Sequence, residues 1–200
     1  MMTQNMRKFD TIKANATQTL HTAIREKKID PLMIGISQFM ERTTNFFTTS
    51  TCSGRITLMD LNENESKKEN VFYRKWHSTV KFSDVWKGIE AYSSNGNLWL
   101  RQDAFVYVIG TNTWENVKKL IRACQEAGVK RYGVHHFEDE KILMEIFGTQ
   151  NMSIPLMVRG KMIADKKAVS EWVKIANRKW KQNEAKRKQF EKILKKHLKN

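Results

Sequence analysis

The sequence is poor in cysteine. Its two cysteines, Cys52 and Cys124, lie far apart, and neither belongs to a Cys-x-x-Cys pair. This spacing argues against a disulfide framework and against a zinc site. Proteins of the reducing cytosol use cysteine in this way, so we expect a cytoplasmic location.

Long apolar segments and common ligand motifs are also absent. No run approaches the roughly 18 apolar residues that span a membrane, and the opening MMTQNMRKFD lacks the apolar core of a signal peptide. There is no His-Glu-x-x-His, Gly-x-Ser-x-Gly, P-loop or Rossmann-type glycine motif. His135 and His136 are adjacent, so on a strand they point to opposite faces. We expect no membrane segment and no metal.

Acidic residues are outnumbered by basic ones, 21 to 36, which gives a net charge of +15 and an isoelectric point near 9.9. Such a chain attracts polyanions, and nucleic acid is the commonest polyanion in a cell. The alternative is a general lysine bias without a specific partner.

The apolar pattern predicts helices at both ends of the chain. Apolar residues recur at helical spacing over residues 5–27. Asp30 followed by Pro31 predicts an N-cap and the start of a shorter second helix. From Asp165 onward a long helix is predicted.

Between these helices, short strands alternate irregularly with two further helices. Ser83 or Asp84 is predicted to cap one helix, and Asn112 with Glu115 the other, which closes at Gly128. Residues 61–70 are predicted to form a solvated loop. Strands are predicted in NFFTT, RITLMDL, VFYRKWH, GNLWLRQDAFVYVIG, KRYGVHHF, KILMEIF and IPLMVRGKMI.

This order of elements predicts an α+β (α/β-like) fold, with a mixed β-sheet flanked by helices and a long basic C-terminal helix. A chain of 200 residues is expected to form a single domain over residues 1–200, with residues 180–200 as a basic helical extension.

The stretch TTSTCSGRI, residues 48–56, is unusually rich in hydroxyl groups. Gly54 permits a turn where a side chain would clash, and Arg55 offers a planar cation suited to phosphate or carboxylate. The stretch therefore indicates an anion-holding loop. An ordinary Ser/Thr-rich turn with a surface arginine explains it equally well.

The stretch RKWHS, residues 74–78, interleaves basic and aromatic residues. On a strand, Lys75 and His77 share one face, while Arg74 and Trp76 share the other. This pattern suits stacking on bases and contact with phosphates, although a strand that buries Trp76 is the commoner case. His77 is the best candidate for proton transfer near neutral pH.

These two stretches resemble the tRNA wybutosine-synthesizing protein 3 family. The resemblance extends over roughly residues 5–195 and includes LWLRQDAFVYV, AGVKRYGV and IPLMVRGKMIADKKAVSEWVKIANRKW. The family's Ser-Ser-Cys-Ser-Gly-Arg signature stands here as Ser50 to Arg55, with Thr51 in place of the second serine. Tyr107 replaces a histidine, and Tyr132-Gly133-Val134 replaces Ser-Gly-Ile. The short form without a fused second domain resembles the archaeal members.

The resemblance implies a methyltransferase that uses S-adenosylmethionine to methylate N4 of a demethylwyosine base at position 37 of tRNA(Phe), next to the anticodon. His77 and Tyr107 are then the expected catalytic residues. The residues expected to hold the cofactor are Ser50, Thr51, Ser53, Gly54 and Arg55, although the same segment suits a tRNA phosphate.

The C-terminal helix carries eleven Lys and Arg against two Glu over residues 174–200. It is expected to lie along the tRNA backbone, or else to be a solvated helix face. A non-catalytic tRNA-binding protein and an enzyme for a small anionic metabolite remain as alternatives. The residues expected to bind tRNA are Lys75, Trp76, Lys179, Lys181, Lys186, Arg187 and Lys188.

Overall fold

The computed structural model of the chain describes residues 8–61 and 71–199. In chain order the elements of this part are α1 (Lys8–Arg25), a 3₁₀ helix (Pro31–Met33), α2 (Ile34–Arg42), β1 (Phe46–Cys52), β2 (Arg55–Leu61), β3 (Val71–Trp76), α3 (Phe82–Glu90), β4 (Asn97–Asp103), β5 (Val106–Thr111), α4 (Trp114–Glu126), β6 (Arg131–Glu138), β7 (Lys141–Phe147), β8 (Met152–Val158), β9 (Lys161–Met162) and α5 (Lys166–Leu198).

The chain divides into two compact units. The first unit comprises Met1–Ser53, Phe105–Gly148 and Lys186–Asn200, and the second comprises Gly54–Ala104 and Thr149–Ala185. The single-domain organisation expected from the sequence stays a prediction. None of the described helices is long and apolar enough to cross a membrane.

The first unit is built on a four-stranded antiparallel sheet in the order β1-β5-β7-β6, so β1 and β6 are its edge strands. Phe46 and Phe47 point to opposite faces of β1, because side chains alternate along a strand. Phe46 joins the core formed with α2, α4 and the end of α5, whereas Phe47 contacts Phe9 of α1, with ring centroids 5.9 Å apart. Buried members of this core include Met33, Ile36, Met40, Ile109, Leu120, Met144, Phe190, Leu194 and Leu198.

The second unit is built on a five-stranded sheet in the order β3-β2-β4-β8-β9. One face packs against α3 and the first part of α5. Asn177 of α5 adds a two-point contact, since its Oδ1 accepts from the N–H of Val80 and its Nδ2 donates to the carbonyl of Val80, both at 2.8 Å. Buried members of this core include Ile56, Leu58, Val85, Ile89, Leu98, Leu100, Leu156, Val169, Val173 and Ala176.

The α+β class and the long basic C-terminal helix are confirmed. The sequence predicted one mixed sheet, but the structure has two sheets whose described strand pairs are all antiparallel. The short β6–β7 and β8–β9 connections explain part of this difference, because parallel neighbours need a crossover of about a dozen residues. Most of the predicted loop over 61–70 lies outside the described residues.

Two predicted helix caps are wrong by one position or more. α4 is capped by Thr113, whose Oγ1 accepts from the N–H of Asn116 at 3.3 Å, and not by Asn112. α3 begins after Lys81 without a side-chain cap, so neither Ser83 nor Asp84 caps it. The Asp30 cap is confirmed: its carboxylate accepts from the N–H of Leu32 at 3.0 Å.

The hydroxyl-rich stretch is not a loop. Residues up to Cys52 belong to β1, and Arg55 begins β2, so only Ser53 and Gly54 form the connection. β1 is an edge strand, which explains why polar residues occupy its second half. Edge strands of natural sheets are commonly polar on their open side.

Gly54 is required by the backbone. Its φ is +98°, which side-chain-bearing residues rarely adopt. A Cβ at this position would lie 2.7 Å from the carbonyl oxygen of Asp103 and 2.6 Å from Nδ2 of Asn183. The sequence-based expectation that a side chain would clash here is therefore confirmed.

We expect Gly54→Ala to lower the free energy of unfolding by about 2 kcal/mol or more, because backbone strain adds to the clash. Gly35→Ala is the matched control: nothing lies within 4 Å of a Cβ at Gly35. Since alanine is the better helix former, this control is expected to gain up to about 1 kcal/mol. Urea titration of both variants measures the difference. An unchanged midpoint for Gly54→Ala would contradict the strain argument.

Candidate functional site

The signature segment Ser50–Arg55 is divided between the two units. Ser50, Thr51 and Ser53 belong to the first unit, and Gly54 and Arg55 to the second. Ser50 is exposed, Thr51 is half-buried and Ser53 is buried.

In the first unit, Ser50 and Thr51 line an open cavity of about 300 Å³. The cavity lies among α1, α2 and the edge strand β1, and we call it the hydroxyl cavity. Its walls are small and neutral, with Lys28 as a cation. Its lining residues are Ala16, Thr19, Leu20, Ala23, Lys28, Ile29, Ser37, Thr48, Thr49, Ser50 and Thr51.

Polar groups with unused hydrogen-bonding capacity face this cavity. The side chain of Ser37 is buried, and its Oγ has no hydrogen-bond partner in the described part of the chain. Among the described strands, β1 pairs with β5 alone, so alternate backbone groups of β1 point away from that partner. The register shifts between Thr48 and Ser50, which leaves an irregular edge. A buried polar group without a partner costs free energy, so this wall suits a ligand with hydrogen-bonding groups.

Asp30 fixes two sides of the hydroxyl cavity. Its Oδ1 accepts from Leu32 N–H at the start of the 3₁₀ helix, and its Oδ2 accepts from Ser53 N–H at 2.8 Å. The carboxylate therefore joins the segment that leads to Ser37 with the end of β1. From the sequence, Asp30 is predicted only as a helix cap, because its second bond spans 23 residues.

Tyr107 lies in the core of the first unit and is fully buried. Its hydroxyl donates to Oε1 of Glu191 at 2.6 Å, and Nη1 of Arg187 donates to the same oxygen at 2.6 Å. Burial, reinforced by the Glu191 carboxylate, raises the pKa of Tyr107 well above its ordinary value. Tyr107 thus stays protonated at neutral pH, and its surroundings favour a structural role over the predicted catalytic one.

In the second unit, Arg55 belongs to a small charged cluster. Its Nε lies 3.5 Å from Oδ2 of Asp103, and its guanidinium carbon lies 4.6 Å from the centroid of the Phe72 ring. Nη2 of Arg101 donates to the other carboxylate oxygen of Asp103 at 3.2 Å. Two cations share one carboxylate, so the cluster keeps a positive charge for an anionic ligand.

His77 lies just after β3 and not within it. Its Nδ1 lies 3.0 Å from the carbonyl oxygen of Gly54. A carbonyl only accepts, so Nδ1 carries the proton in the neutral ring and Nε2 carries the lone pair. In this tautomer Nε2 is the nitrogen that can accept a proton.

Lys75 and Trp76, predicted to bind tRNA, have different surroundings. Lys75 is exposed, whereas Trp76 is half-buried and packs against the core of the second unit. The structure of the second unit therefore favours a core role for Trp76 over a role in stacking on bases.

The basic residues of α5 also separate by exposure. Arg187 is only 3% exposed, which contradicts its predicted place on a solvent-facing basic surface. Lys186 donates to the carbonyl of Ala127 at the end of α4, at 3.0 Å. Lys181 and Lys188 are exposed, so they retain the predicted capacity to meet a phosphate backbone.

Comparison with known proteins decides the family. The model of the family Methyltransferase TYW3 matches residues 7–196. This chain belongs to that family. The resemblance inferred from the signature is confirmed, and the chain is a methyltransferase, which requires a methyl donor.

Named relatives and solved structures agree with this membership. A Thermococcus kodakarensis relative is 29% identical over 94% of each chain, and an Archaeoglobus fulgidus relative is 29% identical over 78% of each. Both are named tRNA(Phe) 7-((3-amino-3-carboxypropyl)-4-demethylwyosine(37)-N(4))-methyltransferase, the former with the number 1. The PH1069 protein from Pyrococcus horikoshii is 27% identical, with a TM-score of 0.84 over 92% of each chain. The likeness of fold therefore covers nearly the whole of both chains.

We expect Tyr107→Phe to lower the free energy of unfolding by about 1–2 kcal/mol, because Glu191 loses a buried hydrogen bond. The methyl-transfer rate should change less than about threefold, since catalysis by proton transfer contributes about a hundredfold or more. Tyr132→Phe, at a half-buried tyrosine of β6, is the control and should leave both quantities unchanged. A hundredfold slower transfer by a folded Tyr107→Phe would restore the catalytic role.

Proposed function

We propose that this chain transfers a methyl group from S-adenosylmethionine to N4 of the 4-demethylwyosine-type base at position 37 of tRNA(Phe), next to the anticodon. The similarity to the Thermococcus kodakarensis enzyme over 94% of each chain carries the proposal. The net charge of +15 supports a polyanionic substrate.

The hydroxyl cavity fits the methyl donor. Its volume of about 300 Å³ is at the lower end of ligand pockets. Ser37 has a buried hydroxyl without a partner among the described residues, and the open edge of β1 adds backbone donors and acceptors for a purine or ribose. Lys28 is the cation in the lining that suits a carboxylate. We assign Ser37, Ser50, Thr51 and Lys28 to donor binding; for Ser53, Gly54 and Arg55 that role stays a prediction.

S-adenosylmethionine supplies an electrophilic methyl group when it is bound. The attacking N4 must release its proton, and the protein must place that nitrogen correctly. We propose that Nε2 of His77 accepts the proton, because Nδ1 is held by the Gly54 carbonyl. The raised pKa of Tyr107 leaves it unsuited to this step.

For the tRNA backbone we propose contacts with Lys181 and Lys188, both exposed on α5. Lys179 and Lys186 are half-buried. The assignment of tRNA as the substrate therefore rests on membership of the family. The exposed positions of Lys181 and Lys188 are compatible with that substrate.

Mass spectrometry of nucleosides tests the reaction. Undermodified tRNA(Phe) carrying the demethylwyosine base is incubated with the chain and methyl-labelled S-adenosylmethionine, and we expect one labelled methyl group on N4 of that base. His77→Gln should lower the rate by about a hundredfold with unchanged donor binding, while His21→Gln, an exposed control in α1, should not. Binding of the tRNA without any methyl incorporation would favour a non-catalytic tRNA-binding protein.

A cavity-filling pair tests the donor site. Ala16 lines the hydroxyl cavity, and Ala14 lies on α1 outside that lining and is exposed. We expect Ala16→Phe to weaken S-adenosylmethionine binding at least tenfold by occupying its volume, whereas Ala14→Phe leaves the affinity unchanged. Titration calorimetry measures both, with thermal melting to confirm that they fold. Ala16→Leu replaces a poorly folding Ala16→Phe. Equal affinities for the two positions would place the donor elsewhere.

A further inference from the structure

We propose that the five-stranded sheet of the second unit presents an RNA-stacking surface on the face opposite its packed core. We call this the outer face. The inference rests on the proposed function in that it takes the substrate to be RNA, and it names the surface that contacts unpaired bases. It replaces the stacking role that the sequence suggested for Trp76.

The strand register determines which residues share the outer face. Residues directly opposite each other on paired strands project from the same side of a sheet. One row across β3, β2, β4 and β8 is Phe72, Met59, Trp99 and Pro155. The next row is Lys75, Thr57, Arg101 and Ser153. The pair Arg55 and Asp103 continues the face, while Leu58 and Leu100 project into the core.

Two aromatic side chains stand in the first row. Phe72 is 43% exposed although it is a large apolar residue, and it lies on the edge strand β3. Trp99 is half-buried, two strands away, or about 10 Å. Exposed aromatic residues on the open face of a sheet are the means by which sheet-based modules stack unpaired bases.

Cations surround these rings. Lys75 is exposed, the side chain of Arg101 is 33% exposed, and the Arg55 guanidinium covers the Phe72 ring at 4.6 Å. Asp103 balances one of the three charges. Thr57 and Met59 of the two rows are buried, so these cations and the Phe72 ring make the accessible part of the face. The outer face is therefore rich in positive charge.

This combination favours RNA over other partners. A membrane surface would need a larger apolar area than Phe72 supplies, and a protein interface is usually depleted of lysine. Interleaved cations and rings match a chain of phosphates and bases, to which each stacked base contributes about 1–3 kcal/mol. The outer face thus gives a reason for the exposure of Phe72 in a strongly basic chain.

Fluorescence anisotropy with a labelled RNA stem-loop carrying a seven-nucleotide loop tests the proposal. We expect Phe72→Ala to weaken binding about tenfold with an unchanged slope of log affinity against log salt, because stacking releases no counterions. Lys75→Ala should weaken binding and reduce the magnitude of that slope by about one. A fully paired duplex of equal length should show no effect of Phe72→Ala.

Two controls make the outcome specific. Val71→Ala changes an exposed residue on the opposite face of the same strand, and Phe137→Ala changes an exposed phenylalanine of the first unit. Neither should alter stem-loop affinity. The proposal is overturned if Phe72→Ala binds the stem-loop like the unaltered chain, or if Phe137→Ala is the weakening change. If sedimentation shows that the unaltered chain self-associates and that Phe72→Ala does not, the outer face binds a second copy of the chain. That result would also overturn the proposal.

The proposal and the enzymatic function fail separately. If the unaltered chain methylates tRNA(Phe) but Phe72→Ala retains full RNA affinity, only the outer-face proposal is wrong. If the chain transfers no methyl group but Phe72→Ala weakens stem-loop binding, the stacking surface stands and the reaction is wrong.

Discussion

One buried carboxylate holds the candidate donor site together. Asp30 accepts one N–H from the helix start at Leu32 and another from the strand end at Ser53. A buried carboxylate is tolerated only when its oxygens accept hydrogen bonds, so the loss of either bond would lower the stability of the fold. α2 brings Ser37 and β1 brings Ser50 and Thr51 to the hydroxyl cavity, so its shape depends on this residue.

Periodicity and local chemistry were sufficient to predict most elements of the fold. The alternating burial along β4 and β7 and the helical spacing in α1 and α5 follow from packing on one face. Sheet partnership was not predictable in this way, because hydrogen-bond pairing between distant strands has no local signature. The Gly54 turn was predictable, since its neighbours and its glycine both indicate a tight connection. The Thr113 cap was missed because Asn112 beside it is an equally good capping residue.

The site was harder to predict than the fold, for chemical reasons. Clusters of charged residues are easy to find in a sequence, but the hydroxyl cavity is lined mainly by alanine, serine and threonine from segments as distant as Ala16 and Thr51. The burial of Arg187 was predictable from the sequence. Arg187 lies three residues before the apolar Phe190 and seven before Leu194, and this spacing places it on the buried side of the helix. Its charge alone predicts a surface position, whereas its spacing from these apolar residues predicts a buried one.

The composition of the first unit has a consequence for biosynthesis. Phe190, Leu194 and Leu198 belong to the same core as Met33 and Phe46. A ribosome releases the N-terminal segment long before it makes these three side chains. The opening helices and β1 therefore have an incomplete apolar core throughout the synthesis of residues 53–189. During that interval the nascent chain offers an uncovered edge strand and apolar surface, the features that chaperones recognise and that proteases exploit.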